Sequence, residues 1–377
     1  METPERERLL KRLSEWQPPH GVLSVYVDVD PGDRGRAWRI ALRDRLRELA
    51  EAISPHAERR AFESAAERVL ERFPEHAAPP QGRGHAGFIE VAAKPNEVWR
   101  SMQAAPRRVE VVHAARPYMR PLIEIFDECP YVGVVVASAE RVRLLEWSLG
   151  AARELEDWEI VLWSRDWRER KSERSRPGTF EGASASGRDQ FGQRLLANRQ
   201  RFLREVGQRV GDEKAKRRWR HLIVFGSEGH TSTLVSGISR ETDKPHCVTG
   251  DLISAKESEI ARRIAIVVEE VNRERELALI RELAEAIGSE AGAALGPQEV
   301  LEALSQGRVR HVLFDADRDY GGRPLAARLV GDGDAELPVA ERMIELAVAT
   351  SAEVTPLEGE SATELARHDG AAALLRY

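Results

Sequence analysis

SRDWRERKSERSRPGTFEGASASG at 164–187 runs into RDQFGQRLLANRQRFLREVGQRV at 188–210, and the stretch closes on KAKRRWR at 214–220. Between Ser164 and Arg220 the chain holds 17 Lys and Arg against 8 Asp and Glu, while its formal net charge is −6. A strongly basic segment on an otherwise acidic chain points to a polyanionic partner. The first part reads as a flexible loop, with Gly178, Gly182 and Gly187 and small residues at its tip. Loops of this length are usually functional or disordered. The second part reads as an amphipathic helix over 188–210. Phe191, Leu195, Phe202, Val206 and Val210 recur at helical spacing, and Arg194, Arg201 and Arg204 fall on the opposite face. The plain alternative is a solvated helix on a globular domain behind a disordered loop.

Working outward, 377 residues suggest two to three domains. The composition, 42% hydrophobic and 32% charged, is that of an ordinary soluble protein. No apolar run approaches the roughly 20 residues of a membrane span. The start, METPERERLLKRL, is charged throughout and lacks a signal-peptide core. Cys129 and Cys247 have no framework spacing, which suits a reducing, cytoplasmic setting.

Residues 1–128 read as an N-terminal α/β domain. Leu23, Val25, Val27 and Val29 alternate with Ser24, Tyr26 and Asp28, so a strand covered on at least one side is expected. Helices follow at Ala37–Ile53 and His56–Phe73, then strands at His85–Val91 and Glu97–Met102, and a short helix before Pro130. Residues 129–252 form the second domain. YVGVVVAS is a strand buried on both faces, followed by ERVRLLEWSLG and ARELEDWEIVLW as a meander. After the 164–187 loop and its helix come a strand, HLIVFG, and a short helix in TSTLVSGIS. Residues 253–377 begin with a long helix whose stripe runs Ile260, Ile264, Val268, Val271, Ile280, Leu283 and Ile287, and which ends at Gly288. PQEVLEALSQG (helix), VRHVLFDA (strand), PVAERMIELAVATS (helix), a strand at Glu353–Thr355 and a terminal strand in DGAAALLRY complete a third α/β domain. The expected class is therefore α/β: three mixed domains, the middle one a sheet with a long basic helix.

Motifs with their own chemistry are few. Asp315, Asp317 and Asp319 begin like a calcium loop, but Tyr320 stands where the turn needs Gly and Ala326 where the bidentate Glu belongs. His246 and Cys247 have no partner pair at zinc spacing. Asp28 and Asp30 at a strand end fit turn capping better than a metal site. His221 and His230 flank a buried strand and suit hydrogen bonding. No metal and no cofactor is expected.

Four stretches in this order carry a resemblance: LSVYVDVDP at 23–31, GRDQFGQRLLANRQRFLREVGQ at 187–208, ALSQGRVRHVLF at 303–314 and HDGAAALLRY at 368–377. Together they resemble the bacterial branch of the archaeo-eukaryotic class-one release factor and pelota superfamily, related to the hibernation factor Balon. The resemblance spans nearly the whole chain. It implies a three-domain, tRNA-shaped protein that enters the ribosomal A site, with the middle domain reaching the peptidyl-transferase centre. True release factors carry Gly-Gly-Gln just ahead of the helix, and an Asn-Ile-Lys-Ser stop-codon motif in the first domain. This chain has neither. Ser184, Ala185 and Ser186 stand at about the place of the former, with Gln190 and Gln193 one and two turns into the helix.

The expected partner is thus the ribosome, through rRNA at the A site, with a translational GTPase as a candidate second partner and neither membrane nor DNA. Arg188, Arg194, Arg201, Arg204, Lys214, Lys216, Arg217 and Arg218 are the expected RNA-binding set, since phosphate binding needs only positive charge and reach. Trp167 and Trp219 are candidates for base stacking or for packing. Three functions stay open: occupation of the A site of stalled or idle ribosomes without hydrolysis, peptidyl-tRNA ester cleavage with Ser184, Ser186 or Gln190 orienting water, and a non-ribosomal interaction or small-ligand module.

Overall fold

The computed structural model describes residues 5–30, 37–54, 56–73, 81–160, 183–238, 244–288, 292–318, 320 and 338–376. They form two compact units. The first joins residues 1–129 to residues 265–377, and the second is the continuous stretch 130–264. The class is mixed α/β, and each of the three expected segments contains one sheet. Among the described residues no helix is long and apolar enough to cross a membrane.

The first unit opens with α1 (Glu5–Ser14), β1 (Val22–Asp28), α2 (Ala37–Ala52) and α3 (His56–Arg72). β2 (Gly84–Glu90), β3 (Glu97–Met102), β4 (Glu110–Ala114) and α4 (Arg120–Glu128) follow. The sheet order is β3-β2-β1-β4, antiparallel throughout. Leu23, Val25 and Val27 of β1 pack with Trp38, Leu42, Leu46, Phe62 and Val69 of α2 and α3. The opposite face of β1 is buried too. The Tyr118 N–H donates to Ser24 Oγ at 2.9 Å, and the Tyr26 hydroxyl donates to the Tyr118 carbonyl at 2.5 Å. Asp28 takes both arms of the Arg83 guanidinium, at 2.8 and 2.9 Å, and so closes the end of the β1–β2 ladder.

The second unit contains β5 (Val132–Ala137), β6 (Arg141–Ser148), β7 (Ala151–Glu159), α5 (Ala183–Arg217), β8 (His221–Gly226), α6 (Glu228–Val235) and β9 (His246–Thr249). It ends in the first turns of α7 (Glu257–Gly288). The strand order is β7-β6-β5-β8-β9. β5, β8 and β9 are parallel, whereas β6 and β7 add as an antiparallel meander. Val135, Val142, Leu144, Leu222 and Val224 of the sheet share a core with Leu203, Val206 and Val210 of α5 and Leu234 of α6. Two glycines let α5 meet α6 and the turn after it. A Cβ on Gly207 would stand 2.1 Å from the Leu234 carbonyl oxygen, and one on Gly237 2.2 Å from that of Arg204. Gly207→Ala is therefore expected to cost about 1–3 kcal/mol through overpacking, readable as a lower urea midpoint. An unchanged midpoint would mean that the two elements part freely.

The remainder of α7 returns the chain to the first unit. β10 (Ala293–Leu295), α8 (Gly296–Ser305), β11 (Val309–Asp315), α9 (Val339–Thr350), β12 (Glu353–Leu357), α10 (Gly359–Thr363) and β13 (Ala371–Leu375) follow. Their sheet runs β10-β13-β11-β12, with β11 and β12 parallel. Leu279 and Leu283 of α7 pack on Leu313, Leu357, Ala372 and Leu374.

α4 ties the two segments of the first unit together. The backbone N–H groups of Met119 and Arg120 donate to the two carboxylate oxygens of Glu341, at 3.0 and 2.7 Å. At the other end the Arg6 guanidinium donates to the Phe126 and Cys129 carbonyls, at 2.6 and 2.7 Å, and lies 4.4 Å from the centre of the Phe126 ring. A helix dipole favours the Arg6 cation at the end of α4. Asn272 donates to the Glu128 carbonyl at 3.0 Å. Arg275 Nη2 reaches both oxygens of Asp127, at 2.8 and 2.7 Å.

Candidate nucleic-acid interface

α5 starts earlier and ends later than the expected 188–210 helix, at Ala183 and Arg217. Residues 183–187, expected in the loop, are helical, and 161–182, with Trp167, lie outside the described residues. Ser184, Ser186, Arg188 and Gln190 fall in the first turns of α5, in a stretch whose side chains are not described.

The buried stripe of α5 is Leu203, Val206 and Val210, with Phe202 on its flank. Leu195 is only half-buried, and Leu196 is 57% exposed. Leu203 was missing from the expected stripe although it stands three and seven residues before Val206 and Val210. Arg194, Arg201 and Arg204 are exposed on the far side, as their spacing requires. None of them forms an ion pair or side-chain hydrogen bond with another described residue. Arg209 shares this exposure and lack of partners. It lies eight residues after Arg201, and that helical spacing is the sequence sign that would have included it. Arg194 and Arg201 are two turns apart, about 10 Å along the axis.

The KAKRRWR cluster is arranged differently. Lys214 is buried, at 7% exposure. Lys216 and Arg217 both hold Glu213, at 3.1 and 2.6 Å, and Arg217 also reaches Glu146 at 3.5 Å. Its hydrogen bond, joined by that of Lys216, holds the Glu213 carboxyl below the usual range. Trp219 is buried against the backbone of Gly133, and its indole N–H donates to Glu146 at 2.9 Å. Trp219 therefore packs, and the acids of α5 and β6 occupy two of the five cations, Lys216 and Arg217. Arg218 remains exposed, with φ of +56°. Arg199, unchosen at first, pairs with Glu140. Of the histidines, His230 Nδ1 lies 2.9 Å from Ser227 Oγ, and the His221 ring packs edge-on to His246.

What survives as an open cationic surface is the outer face of α5: Arg194, Arg201, Arg204 and Arg209. Unpaired guanidinium groups on a rigid helix suit phosphate oxygens, which accept two parallel N–H bonds. They carry no base-reading apparatus, so contact of this kind is insensitive to sequence.

Residues 130–266 match the model of bacterial archaeo-eukaryotic release factor family 5. No curated protein matches the chain. Among solved structures, an archaeal translation termination factor, aRF1, is 17% identical, with 99% of this chain and 97% of that chain covered and a TM-score of 0.26. Dom34 of S. cerevisiae, described as a translation termination-like factor interacting with Hbs1, is 10% identical over 78% of this chain and 80% of its own, with a TM-score of 0.43. Archaeal Pelota in a ribosome-bound model with ABCE1 is 11% identical, with coverage of 100% and 98% and a TM-score of 0.43. The family match spans about the residues of the second unit.

Proposed function

We propose, from the match of residues 130–266 to the model of bacterial archaeo-eukaryotic release factor family 5, that the chain is a ribosome-associated translation factor that occupies the A site of stalled or idle ribosomes. The observation that carries the proposal is the family match over 130–266. The outer face of α5 supports it by offering arginines with no partner among the described residues. In this reading Arg194, Arg201, Arg204 and Arg209 dock on rRNA phosphates, with Arg188, Lys216 and Arg218 as flanking contacts. Lys214 and Arg217 support the helix end instead. The sequence lacks Gly-Gly-Gln, so occupation rather than ester cleavage is proposed. A translational GTPase is the proposed delivery partner, by analogy with the Hbs1 named with Dom34. The three domains expected at 1–128, 129–252 and 253–377 remain part of the proposal.

The test is cosedimentation with purified ribosomes over a salt series, for wild type and for a variant with Arg194, Arg201 and Arg204 all changed to Glu. The three side chains touch no described acid, so the variant should fold. Binding is expected to fall at least ~10-fold at low salt, and the slope of log K against log salt to drop by about 2–3. Absence of binding by wild type at low salt would refute the ribosomal reading. Equal binding by the variant would remove α5 from the interface.

A further inference from the structure

A cavity of about 520 Å³ in the first unit lies between the outer face of α1 and the turn from β2 into β3. That volume is in the range of small-molecule sites. Arg8, Lys11, Arg12 and Glu15 line it, because helical spacing puts them on one face of α1, away from the buried Leu9 and Leu13. Trp16, just past the helix, and Asn96 and Glu97, where β3 begins, complete the wall.

Three cations thus stand against two acids, and the acids do not neutralise them. Both carboxylate oxygens of Glu97 are engaged from outside the cavity wall, by Arg68 at 3.4 Å and by the Trp99 indole N–H at 3.1 Å. Glu15 meets Lys11 at 4.0 Å, and both side chains are exposed, so that pair is weak. The exposed Arg12 guanidinium forms no ion pair or hydrogen bond with any described residue. The indole N–H of half-buried Trp16 has no acceptor among them either. An anion entering here meets free donors and breaks no strong pair. Asn96 supplies the opposite polarity. Its Nδ2 donates to Glu90 Oε2 at 2.6 Å, which leaves Oδ1 without a donor among the described residues.

Each of these features selects a different chemical group. Free guanidinium and ammonium donors suit phosphate oxygens. An indole ring suits a stacked base. A lone amide oxygen suits an exocyclic amino group. One small molecule that carries all three is a nucleotide. We propose that this cavity binds a free nucleoside diphosphate with an amino-bearing base, its phosphates on Arg12 and Lys11, its base on Trp16 and its amino group on Asn96 Oδ1. The site uses none of the α5 arginines and does not rest on the ribosomal reading.

Calorimetric titration of the full chain with ADP, IDP and pyrophosphate, in magnesium-free buffer at constant ionic strength, tests it. Saturable one-to-one binding of ADP is expected. IDP, in which an oxygen replaces the amino group, should bind about 3–10-fold more weakly. Pyrophosphate, which has no ring to stack, should bind about 5–100-fold more weakly. Arg12→Ala should weaken ADP by about 10-fold or more. Its unliganded melting temperature should match that of wild type, because the guanidinium holds no described residue. Trp16→Leu should weaken ADP and leave pyrophosphate unchanged, a split that a merely structural role for the ring would not produce. Heats that do not saturate, or an ADP affinity unchanged in Arg12→Ala, would overturn the site. Pyrophosphate binding as tight as that of ADP would reduce it to a general phosphate patch and overturn the nucleotide assignment. An arm with 5′-phosphorylated pentaadenylate distinguishes sources: tighter binding than ADP would overturn the free nucleotide in favour of an RNA chain.

Discussion

Asp127→Ala is expected to lower the stability of the first unit by about 3–5 kcal/mol, the range for breaking a buried ion pair from one side. The Asp127 side chain is 6% exposed, and Arg275 beside it 17%. Removing the carboxylate strands a guanidinium that has little access to water. The damage extends further, because Arg275 Nη1 also holds Thr355 Oγ1 at 3.0 Å, which sits 2.8 Å from Nε2 of buried His311. A chain of polar contacts from α4 through α7 to the β11–β12 pair thus loses its end. The check is a urea midpoint for Asp127→Ala, for Arg275→Leu and for the double variant. The double variant should be more stable than Asp127→Ala alone, since no unpaired charge then remains. A loss below about 1 kcal/mol in the single variant would show that the pair is solvated in practice.

Glu341 should make the stability of the same unit depend on pH. Full burial pushes its carboxyl up to about 8, against the pull of the two backbone N–H groups that donate to it. The folded state then holds this proton more tightly than the unfolded state does. Its contribution is fully present below the ordinary carboxyl value of 4.5 and is lost as pH rises through about 8. Wild-type urea midpoints should therefore decline from pH 5 to pH 9. Glu341→Gln cannot ionise, so its decline should be shallower. It should also carry a penalty of about 1–3 kcal/mol, because its amide NH2 would face one of the two N–H donors that a carboxyl oxygen accepts in wild type. Parallel pH profiles for the two proteins would exclude Glu341 as the titrating group.

Neither Asp127 nor Glu341 stood out in the sequence, and the reason is physical. Both are acids on amphipathic helices, where a charged residue is normally solvated. Only the partner element, some 150 to 220 residues away, turns them inward. The elements legible in advance were those whose own side chains announce them: the alternation of Leu23 to Val29, the apolar run Val132–Ala137 and the stripe of α7. The strands that escaped notice were β4, β9 and β10. Each lies at the edge of its sheet. An edge strand needs a backbone partner on one side more than a two-faced apolar pattern, and HCVT or AAL carries almost none. The candidate interface was half legible for a similar reason. Helical spacing placed Arg194, Arg201 and Arg204 on the outer face. Charge counting could not foresee that Glu213 and Glu146 would take up Lys216 and Arg217, or that Trp219 would lie against Gly133.

The insertion of residues 130–264 within the first unit also sets an order on biosynthesis. The inserted stretch is complete as soon as it has been made. The first 129 residues are not, because α4 receives Arg275 and Glu341 only much later in the chain. At roughly 5–20 residues per second, the interval from α4 to Glu341 lasts about 10–40 s. During that time the nascent N-terminal sheet holds Tyr26 and Tyr118 without their C-terminal cover. The inserted stretch is expected to reach its native state first, and the flanking unit to close around α4 last.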